Sequence, residues 1–546
     1  MASAEYDVIL VQPYPFSDHP SFPEGILKRS LEAAGFSVGV IETPFWQETA
    51  DFEALGRPRL YFAVVSGPID SVVLNYTAGR RRRREDLYQM DGLGFFPGRP
   101  AGIQFKIRPD RTLTVFCNRL RAVCRDVPLV IGGVEASLRG FAHYDFQEAK
   151  VRRSVLLDSR ADILVHGSGE KQAVAIARLL RQGAPAAGID IPGTARLWPA
   201  LPAGRDVVEL PSCEEVQADP ALLLRAQLRL QEAAAAGRAV AQRHANRWVL
   251  QNPAERYSRA DLDFAYGLSY ERRHPGREGY SPALRMNLFS VTAHRGCAGG
   301  CSFCSITQCD GRRVLSRSSE SVLAEIRSLA RHREWRGVVS DIGGPTAEMY
   351  GADCEVAACR RPSCIAPRSC PHFQAGAFYL DLLRRARSLP GVRKVLLGSG
   401  VRHDLLLAAP ELLEEILREH AGGFLRVAPE HTEDEVLDLM GKPRFAVFAE
   451  FVGLFRRLGR GLRRPVELAP YLIVGHPGET AAMVPAMREK LRALGLRTCD
   501  AQIFTPSPGT LSTAMYHAGL SPAGKPLAVE KDVRALQRRK ALLSGS

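Results

Sequence analysis

Arg295-Gly296-Cys297-Ala298-Gly299-Gly300-Cys301-Ser302-Phe303-Cys304 sets three thiols in the spacing Cys-x3-Cys-x2-Cys. The glycines between them let the backbone turn tightly enough to aim every sulfur inward. Three thiolates in one short loop can wrap an iron–sulfur cluster, and three protein ligands for four irons leave one iron open to a small molecule. A structural zinc loop is the rival reading. Zinc, however, usually takes four ligands, in paired Cys-x2-4-Cys knuckles. Ligand count and spacing favour the cluster.

The spacing, with Phe303 just before the last cysteine, resembles the signature of the radical S-adenosylmethionine (SAM) superfamily. The resemblance implies a 4Fe–4S cluster on Cys297, Cys301 and Cys304. Such a cluster passes one electron to bound SAM and cleaves it to methionine and a 5′-deoxyadenosyl radical. It also implies a reducing electron donor of the flavodoxin or ferredoxin type and a substrate that the sequence does not name.

Working outward, the 546 residues exceed one ordinary domain. A composition 45% hydrophobic and 24% charged is that of a globular protein with a large core. No run approaches the roughly 18 apolar residues that span a membrane. The opening Met1-Ala2-Ser3-Ala4-Glu5-Tyr6-Asp7 leads straight into the strand-like Val8-Ile9-Leu10-Val11, unlike a signal or transit peptide. A cytoplasmic location is the expectation. Eight of the twelve cysteines lie between Cys297 and Cys370, which reads as metal binding in a reducing compartment rather than a disulfide framework.

The net charge of +14 raises a rival of another class, a nucleic-acid-binding protein with structural iron–sulfur or zinc centres and no SAM cleavage. Arginine is nevertheless spread along the whole chain, so nucleic acid is only weakly supported as a partner. The one dense run, Arg80 to Arg84, is expected to open a helix and to be a solvated face, since Glu85 and Asp86 follow at once.

In chain order, Val8–Val11, Ser37–Ile41, Leu60–Ser66, Leu129–Gly132 and Asp162–His166 read as strands alternating with helices, the pattern of an α/β parallel sheet. Residues 195–285 read as a helical linker. Within it Ala221 to Val249 is a long helical stretch, with Asp219 suited to an N-cap and Pro220 to the first helical position. Six strands then follow, beginning near Leu288, Gly337, Val395, Phe424, Tyr471 and Ala501, most with glycine- or proline-rich loops at their carboxyl ends. A βα barrel builds its site on that face, and six units predict a partial (βα)6 barrel. The expected domains are 1–194, 195–285, 286–515 and a basic helical tail at 516–546.

Several longer runs sharpen the resemblance to the YgiQ-type radical SAM proteins. They are Asp18-His19-Pro20-Ser21-Phe22, Ile131 to Arg139, Ala142-His143-Tyr144-Asp145, Asp341 to Tyr350 and Ala428-Pro429-Glu430-His431-Thr432. Carried over, the family pattern implies Phe303 beside the adenine of SAM, and Gly343, Gly344 and Thr346 in the turn that receives the methionine amino group. Glu430 and Gly475 fall on strand-end loops that could touch ribose and adenine. For Glu430 a helix N-terminal carboxylate before Thr432-Glu433-Asp434-Glu435 is an equal alternative. Cys309 stands where the family tends to have histidine, and reads as a bystander. A SAM-dependent methylating or methylthiolating enzyme acting on RNA or protein shares this cofactor and differs in substrate.

The N-terminal sheet resembles a cobalamin-binding domain. The cobalt-ligating pattern Asp-x-His-x-x-Gly is absent from Asp18-His19-Pro20-Ser21-Phe22-Pro23-Glu24-Gly25, so cobalamin is not expected. A second group, Cys354, Cys359, Cys364 and Cys370, places four thiols in seventeen residues among prolines that exclude a regular helix. Four thiolates suit zinc or a second, fully ligated 4Fe–4S cluster, against four unligated thiols in a surface loop.

Overall fold

The computed structural model describes residues 6–97, 105–354, 356, 359, 361, 363–366, 368–496 and 499–544. The chain forms two compact units. One comprises Met1–Arg256, Phe264–Leu288 and Ser507–Gly509, the other Tyr257–Asp263, Phe289–Pro506 and Thr510–Ser546.

In the first unit, strands Val38–Glu42, Val8–Gln12, Tyr61–Val65, Leu129–Gly132 and Ile163–Val165 lie side by side in that order, all parallel. Val8, Ile9, Leu10 and Val11 are wholly buried. Such continuous apolar runs are what a sheet covered on both faces requires. Leu31 of helix Pro23–Ala33 and Ile176 of helix Glu170–Arg181 pack with Val8, Leu10 and Ile163 in one core.

Strand order reverses between Val8–Gln12 and Tyr61–Val65, where open α/β sheets form their ligand crevice. Buried side chains of this chain gather at that place. Tyr14 Oη donates to Glu24 Oε2 at 3.0 Å. Arg108 donates to the Ser66 carbonyl at 3.3 Å, pairs with Asp86 at 3.2 Å and lies 5.2 Å over the Tyr14 ring. A Cβ on Gly67 would come within 2.6 Å of Tyr14. His19 is also buried, with Nδ1 3.0 Å from the Ser21 amide and Nε2 2.8 Å from Arg272 Nη1, so the protein itself engages both ring nitrogens.

Residues 195–285 are not a helical linker. Strands Thr194–Trp198, Arg247–Gln251, Ala239–His244 and Val207–Glu209 extend the parallel sheet to nine strands. Helix Pro220–Ala236 starts as expected, with the Asp219 side chain accepting the Ala221 amide at 2.8 Å, and stops at Gly237 in the left-handed conformation. An antiparallel hairpin follows, turning at Ala245-Asn246. Its alanine-rich first strand mimics helix composition, and cross-strand pairing overrides that preference. The connector Tyr270–Pro275 is tied to the loop around Asp18. The Asp18 amide donates to the Arg273 carbonyl at 3.0 Å, and His274 Nδ1 lies 2.9 Å from the Phe16 carbonyl. Arg80 to Arg84 are exposed but open no helix; Arg82 instead bridges Tyr76.

In the second unit six parallel strand units follow in chain order. They are Ser290–Thr292, the interrupted pair Val338–Val339 and Asp341–Gly343, Lys394–Val395, Phe424–Glu430, Glu467–Val474 and Asp500–Ile503. A parallel bridge between Val401 and Val427 joins the third to the fourth. The result is a partial (βα)6 barrel. Val291, Ile342, Val395, Leu425, Leu472 and Ala501 from the strands share one core with Ile326, Leu383 and Phe451 from the helices. The basic tail is part of this unit. Leu536 and Leu543 of helix Val533–Ser544 are buried, and Arg539 donates to Glu479 Oε1 at 3.1 Å. Among the described residues no helix is long and apolar enough to cross a membrane.

Candidate active site

The cysteine loop leaves the first barrel strand and is closed at its neck by antiparallel pairing of His294 with Ser316 and Arg295 with Leu315. Polar contacts brace its far side. The Ser302 amide donates to the Met440 carbonyl at 2.9 Å, and Ser302 Oγ donates to the Leu439 carbonyl at 2.8 Å. Ser302 Oγ also lies 2.7 Å from Ser512 Oγ, which lies 2.7 Å from His476 Nε2. Phe303 turns its ring edge-on to His476, centroids 6.4 Å apart. The short loop is thereby held from three later elements of the barrel.

Gly299 shows how the sulfurs are arranged. A Cβ there would stand 3.4 Å from Cys297 Sγ, 3.7 Å from Cys301 Sγ and 2.9 Å from Arg402 Nη1. Two thiols and a guanidinium therefore converge over one backbone position that carries no side chain. Arg402 Nη1 reaches Cys301 Sγ at 3.7 Å, and its Nη2 pairs with Asp404 Oδ2 at 2.8 Å. Burial, followed by the neighbouring thiols, pushes the Cys304 thiol up to about 12, and burial likewise raises Cys297. Thiols of that kind stay protonated until a metal displaces the proton. The donor set fits an iron–sulfur cluster: soft sulfur ligands, a fixed positive charge near them, and a glycine where a side chain would crowd them.

The turn after the second barrel strand supplies a buried carboxylate. Glu348 is wholly buried; its Oε1 accepts the Arg402 amide at 2.6 Å and the Thr346 hydroxyl at 3.2 Å, while Oε2 has no hydrogen-bond partner among the described residues. Burial raises its carboxyl to about 7. Thr346 thus positions Glu348. The Gly343 carbonyl accepts the Ala293 amide at 2.7 Å, which zips the turn to the first strand. At Gly344 any Cβ would collide with the His294 ring, so close packing demands glycine.

Glu430 ends the fourth strand at a register shift, in the left-handed conformation at φ 71°. It is not a helix N-terminal carboxylate, because the N-cap position of the next helix, Asp434–Met440, is Glu433, three residues beyond it. Instead it is buried with Lys442 Nζ 3.8 Å away, and burial raises its carboxyl to about 7. Gly475 also has positive φ. Its amide donates to Glu479 Oε2 at 2.9 Å, and Leu536 fills the space a side chain would need. Cys364 lies close to the cysteine loop, its amide donating to the Ala298 carbonyl at 3.0 Å.

Charge and contact thus bring Cys297, Cys301, Cys304, Glu348, Glu430 and Arg402 into one site, with Phe303 and Thr346 at its edge. Arg402 and Glu348 carry no recognisable spacing in the sequence. The one signal was position: Arg402 follows the Gly398-Ser399-Gly400 turn, and Glu348 stands two residues beyond Thr346.

The family described as Radical SAM N-terminal matches residues 1–290, and the Radical SAM superfamily matches residues 291–491. The chain is 45% identical to the UPF0313 protein GSU2873 of Geobacter sulfurreducens, over 99% of this chain and 89% of that protein. It is 40% identical to a UPF0313 protein of Methanocella arvoryzae, over 98% and 90%. Among solved structures, the radical SAM methyltransferase TsrM from Kitasatospora setae, with cobalamin and a [4Fe-4S] cluster bound, superposes with a TM-score of 0.50 at 18% identity. That alignment covers 93% of this chain and 77% of TsrM, and it shows a common fold.

Proposed function

We propose, from the premise that this chain belongs to the UPF0313 family of radical SAM proteins, that Cys297, Cys301 and Cys304 are the ligands of its catalytic cluster. Membership makes it an enzyme that cleaves SAM reductively with a 4Fe–4S cluster. When bound, the cluster supplies the single electron for that cleavage, which starts radical chemistry on the substrate. The observation that carries the ligand assignment is the convergence of the Cys297 and Cys301 sulfurs with Arg402 over Gly299.

The chain's own groups take defined parts in this reading. Arg402 offsets the negative charge of the thiolates, and Asp404 fixes its orientation. Glu348 offers Oε2, a buried acceptor without a hydrogen-bond partner among the described residues, to the ammonium of the methionine moiety. That contact adds a side chain to the part played by the Gly343-Gly344-Pro345-Thr346 turn. Phe303 gives an aromatic face to the adenine. Glu430, backed by Lys442, takes a ribose hydroxyl. Gly475 serves by packing against Leu536, which lets the fifth strand end close to the site. A low-potential reductant of the flavodoxin or ferredoxin type provides the electron. The N-terminal unit works without tightly bound cobalamin, a reading supported by the engaged nitrogens of His19 and the missing Asp-x-His-x-x-Gly pattern. A reducing, cytoplasmic setting is supported by the grouping of eight cysteines between Cys297 and Cys370, which suits metal binding rather than a disulfide framework.

The test is anaerobic reconstitution with iron and sulfide, then dithionite and SAM, with 5′-deoxyadenosine as the readout. The parent should be brown and form it. Replacing Cys297, Cys301 or Cys304 with alanine should abolish it. A single-cysteine variant that cleaves SAM at the parent rate, or a colourless protein holding stoichiometric zinc, would sink the assignment.

A further inference from the structure

Outside the site just described, the densest group of metal-binding side chains is Cys354, Cys359, Cys364 and Cys370, all four free thiols. The segment that carries them follows the Glu348 turn, and its described residues belong to no helix or strand. Its order comes from a few backbone ties. The Cys370 amide donates to the Cys364 carbonyl at 2.7 Å, and the Phe373 amide to the Cys370 carbonyl at 3.0 Å. Ser363 Oγ accepts the amides of Ile365 at 3.0 Å and Ala366 at 3.1 Å.

The segment is also seated against the cysteine loop of the active site. Both the Cys364 amide, at 3.0 Å, and Ser363 Oγ, at 3.3 Å, donate to the carbonyl of Ala298. Ile365 is buried with Ala298, Val314, Met349 and Leu405, and Cys297, Cys364 and Phe373 pack around them. Cys364 stands within electrostatic range of Cys370, Cys359 and Cys354. Burial raises the Cys364 thiol first, then Cys370, Cys359 and Cys354 raise it further, with Arg361 opposing. Arg312 feels Cys364 and Cys359 in turn. Four thiols within seventeen residues of chain, with Arg361 and Arg312 near enough to Cys364 to balance a thiolate, offer a soft, high-charge donor set with no open position.

We propose that Cys354, Cys359, Cys364 and Cys370 together bind a second metal centre, a thiolate-coordinated iron–sulfur cluster or zinc ion, which braces the active-site loop through Ala298. Among the described residues, neither this group nor Cys297, Cys301 and Cys304 is drawn in to the distances at which side chains enclose a single ion. A metal held by four thiolates would cross-link the segment and tie it to the active-site loop.

The test uses the full chain with Cys297, Cys301 and Cys304 all replaced by alanine, reconstituted anaerobically and analysed for iron, sulfide and zinc. The proposal expects either iron with matching sulfide, about four of each per chain, or about one zinc per chain. Adding Cys364→Ser and Cys370→Ser should abolish that metal. A chain that keeps its far-ultraviolet circular dichroism and binds neither overturns the proposal. Should the triple variant fail to fold, Cys364→Ser with Cys370→Ser in the otherwise native chain decides the matter. Its metal content should fall by one centre, and Cys354 and Cys359 should become reactive to iodoacetamide. Unchanged metal content and unchanged alkylation would equally overturn it.

Discussion

Arg402 Nη1 lies 3.7 Å from Cys301 Sγ, while the same guanidinium is clamped by the carboxylate of Asp404. The arginine is buried, and burial alone would lower its affinity for a proton. Asp404 and the two thiols Cys301 and Cys297 more than reverse that, so it stays charged against the sulfurs. Burial by itself would raise the Asp404 carboxyl, yet Arg402 holds it down at about 2. A fixed positive charge beside a cluster favours its reduced, more negative state.

Arg402→Ala should therefore shift the cluster's reduction potential to a more negative value and slow 5′-deoxyadenosine formation by about 10–100-fold, the usual range for a group supporting metal ligands. Arg402→Lys should recover much of the potential, because the charge returns without the fork. Redox titration followed by electron paramagnetic resonance reads both. An alanine variant with an unshifted potential would deny Arg402 this part.

Glu348→Gln keeps an acceptor for the Arg402 amide and the Thr346 hydroxyl but removes the negative charge. The loss of one charge-assisted hydrogen bond, about 1.5–3 kcal/mol, should weaken SAM binding by about 10–100-fold. Equilibrium binding to the reconstituted enzyme measures it. Unchanged affinity would place the methionine ammonium elsewhere.

Glu24 is wholly buried in the N-terminal sheet domain, and burial raises its carboxyl to about 8 despite the hydrogen bond from Tyr14. The folded chain keeps a proton there that the unfolded chain releases near the ordinary value of 4.5. Its contribution to stability is thus complete below about pH 4.5 and is lost as pH rises toward 8, by at most about 1.4 kcal/mol per pH unit. Glu24→Gln should remove that decline, so urea denaturation should show its advantage over the parent growing between those two values. A constant difference across the range would show that Glu24 does not titrate as its burial demands.

Leu543 and Leu536 anchor the last helix, and Arg539 leaves Glu479 paired in the barrel wall. Leu543→Ala should cost about 2–5 kcal/mol, as truncation of a buried leucine does. Arg539→Ala should cost about 3–5 kcal/mol by stranding a buried carboxylate. Denaturant titration of the full chain checks both. A surface-like change below about 0.5 kcal/mol would mean the tail is loosely held.

Much of this protein was legible in its residues. Apolar runs such as Val8-Ile9-Leu10-Val11 marked the buried parallel strands, and glycine- or proline-rich ends marked the barrel loops, because both signals are local. The spacing of Cys297, Cys301 and Cys304 pointed to the cluster for the same reason: one short loop carries all three ligands. Residues 239–251 misled because alanine suits a helix in isolation, whereas here it pairs across a hairpin that is itself flanked by Thr194–Trp198 and Val207–Glu209, strands distant in sequence. Glu430 misled in its structural alternative because its left-handed backbone, which precedes the helix cap, is set by the register shift beside the fifth strand. Arg402, Glu348 and Lys442 carry no spacing signature at all. Arg402 and Glu348 meet the cysteines, and Lys442 meets Glu430, only when the barrel strands align and bring their carboxyl ends to one face. Burial then gives those charges their strength, since a carboxylate or guanidinium acts at a distance only where water is excluded. Local chemistry was therefore written in the sequence, whereas the electrostatic surroundings of the cluster loop were decided by strand pairing and by what that pairing buried.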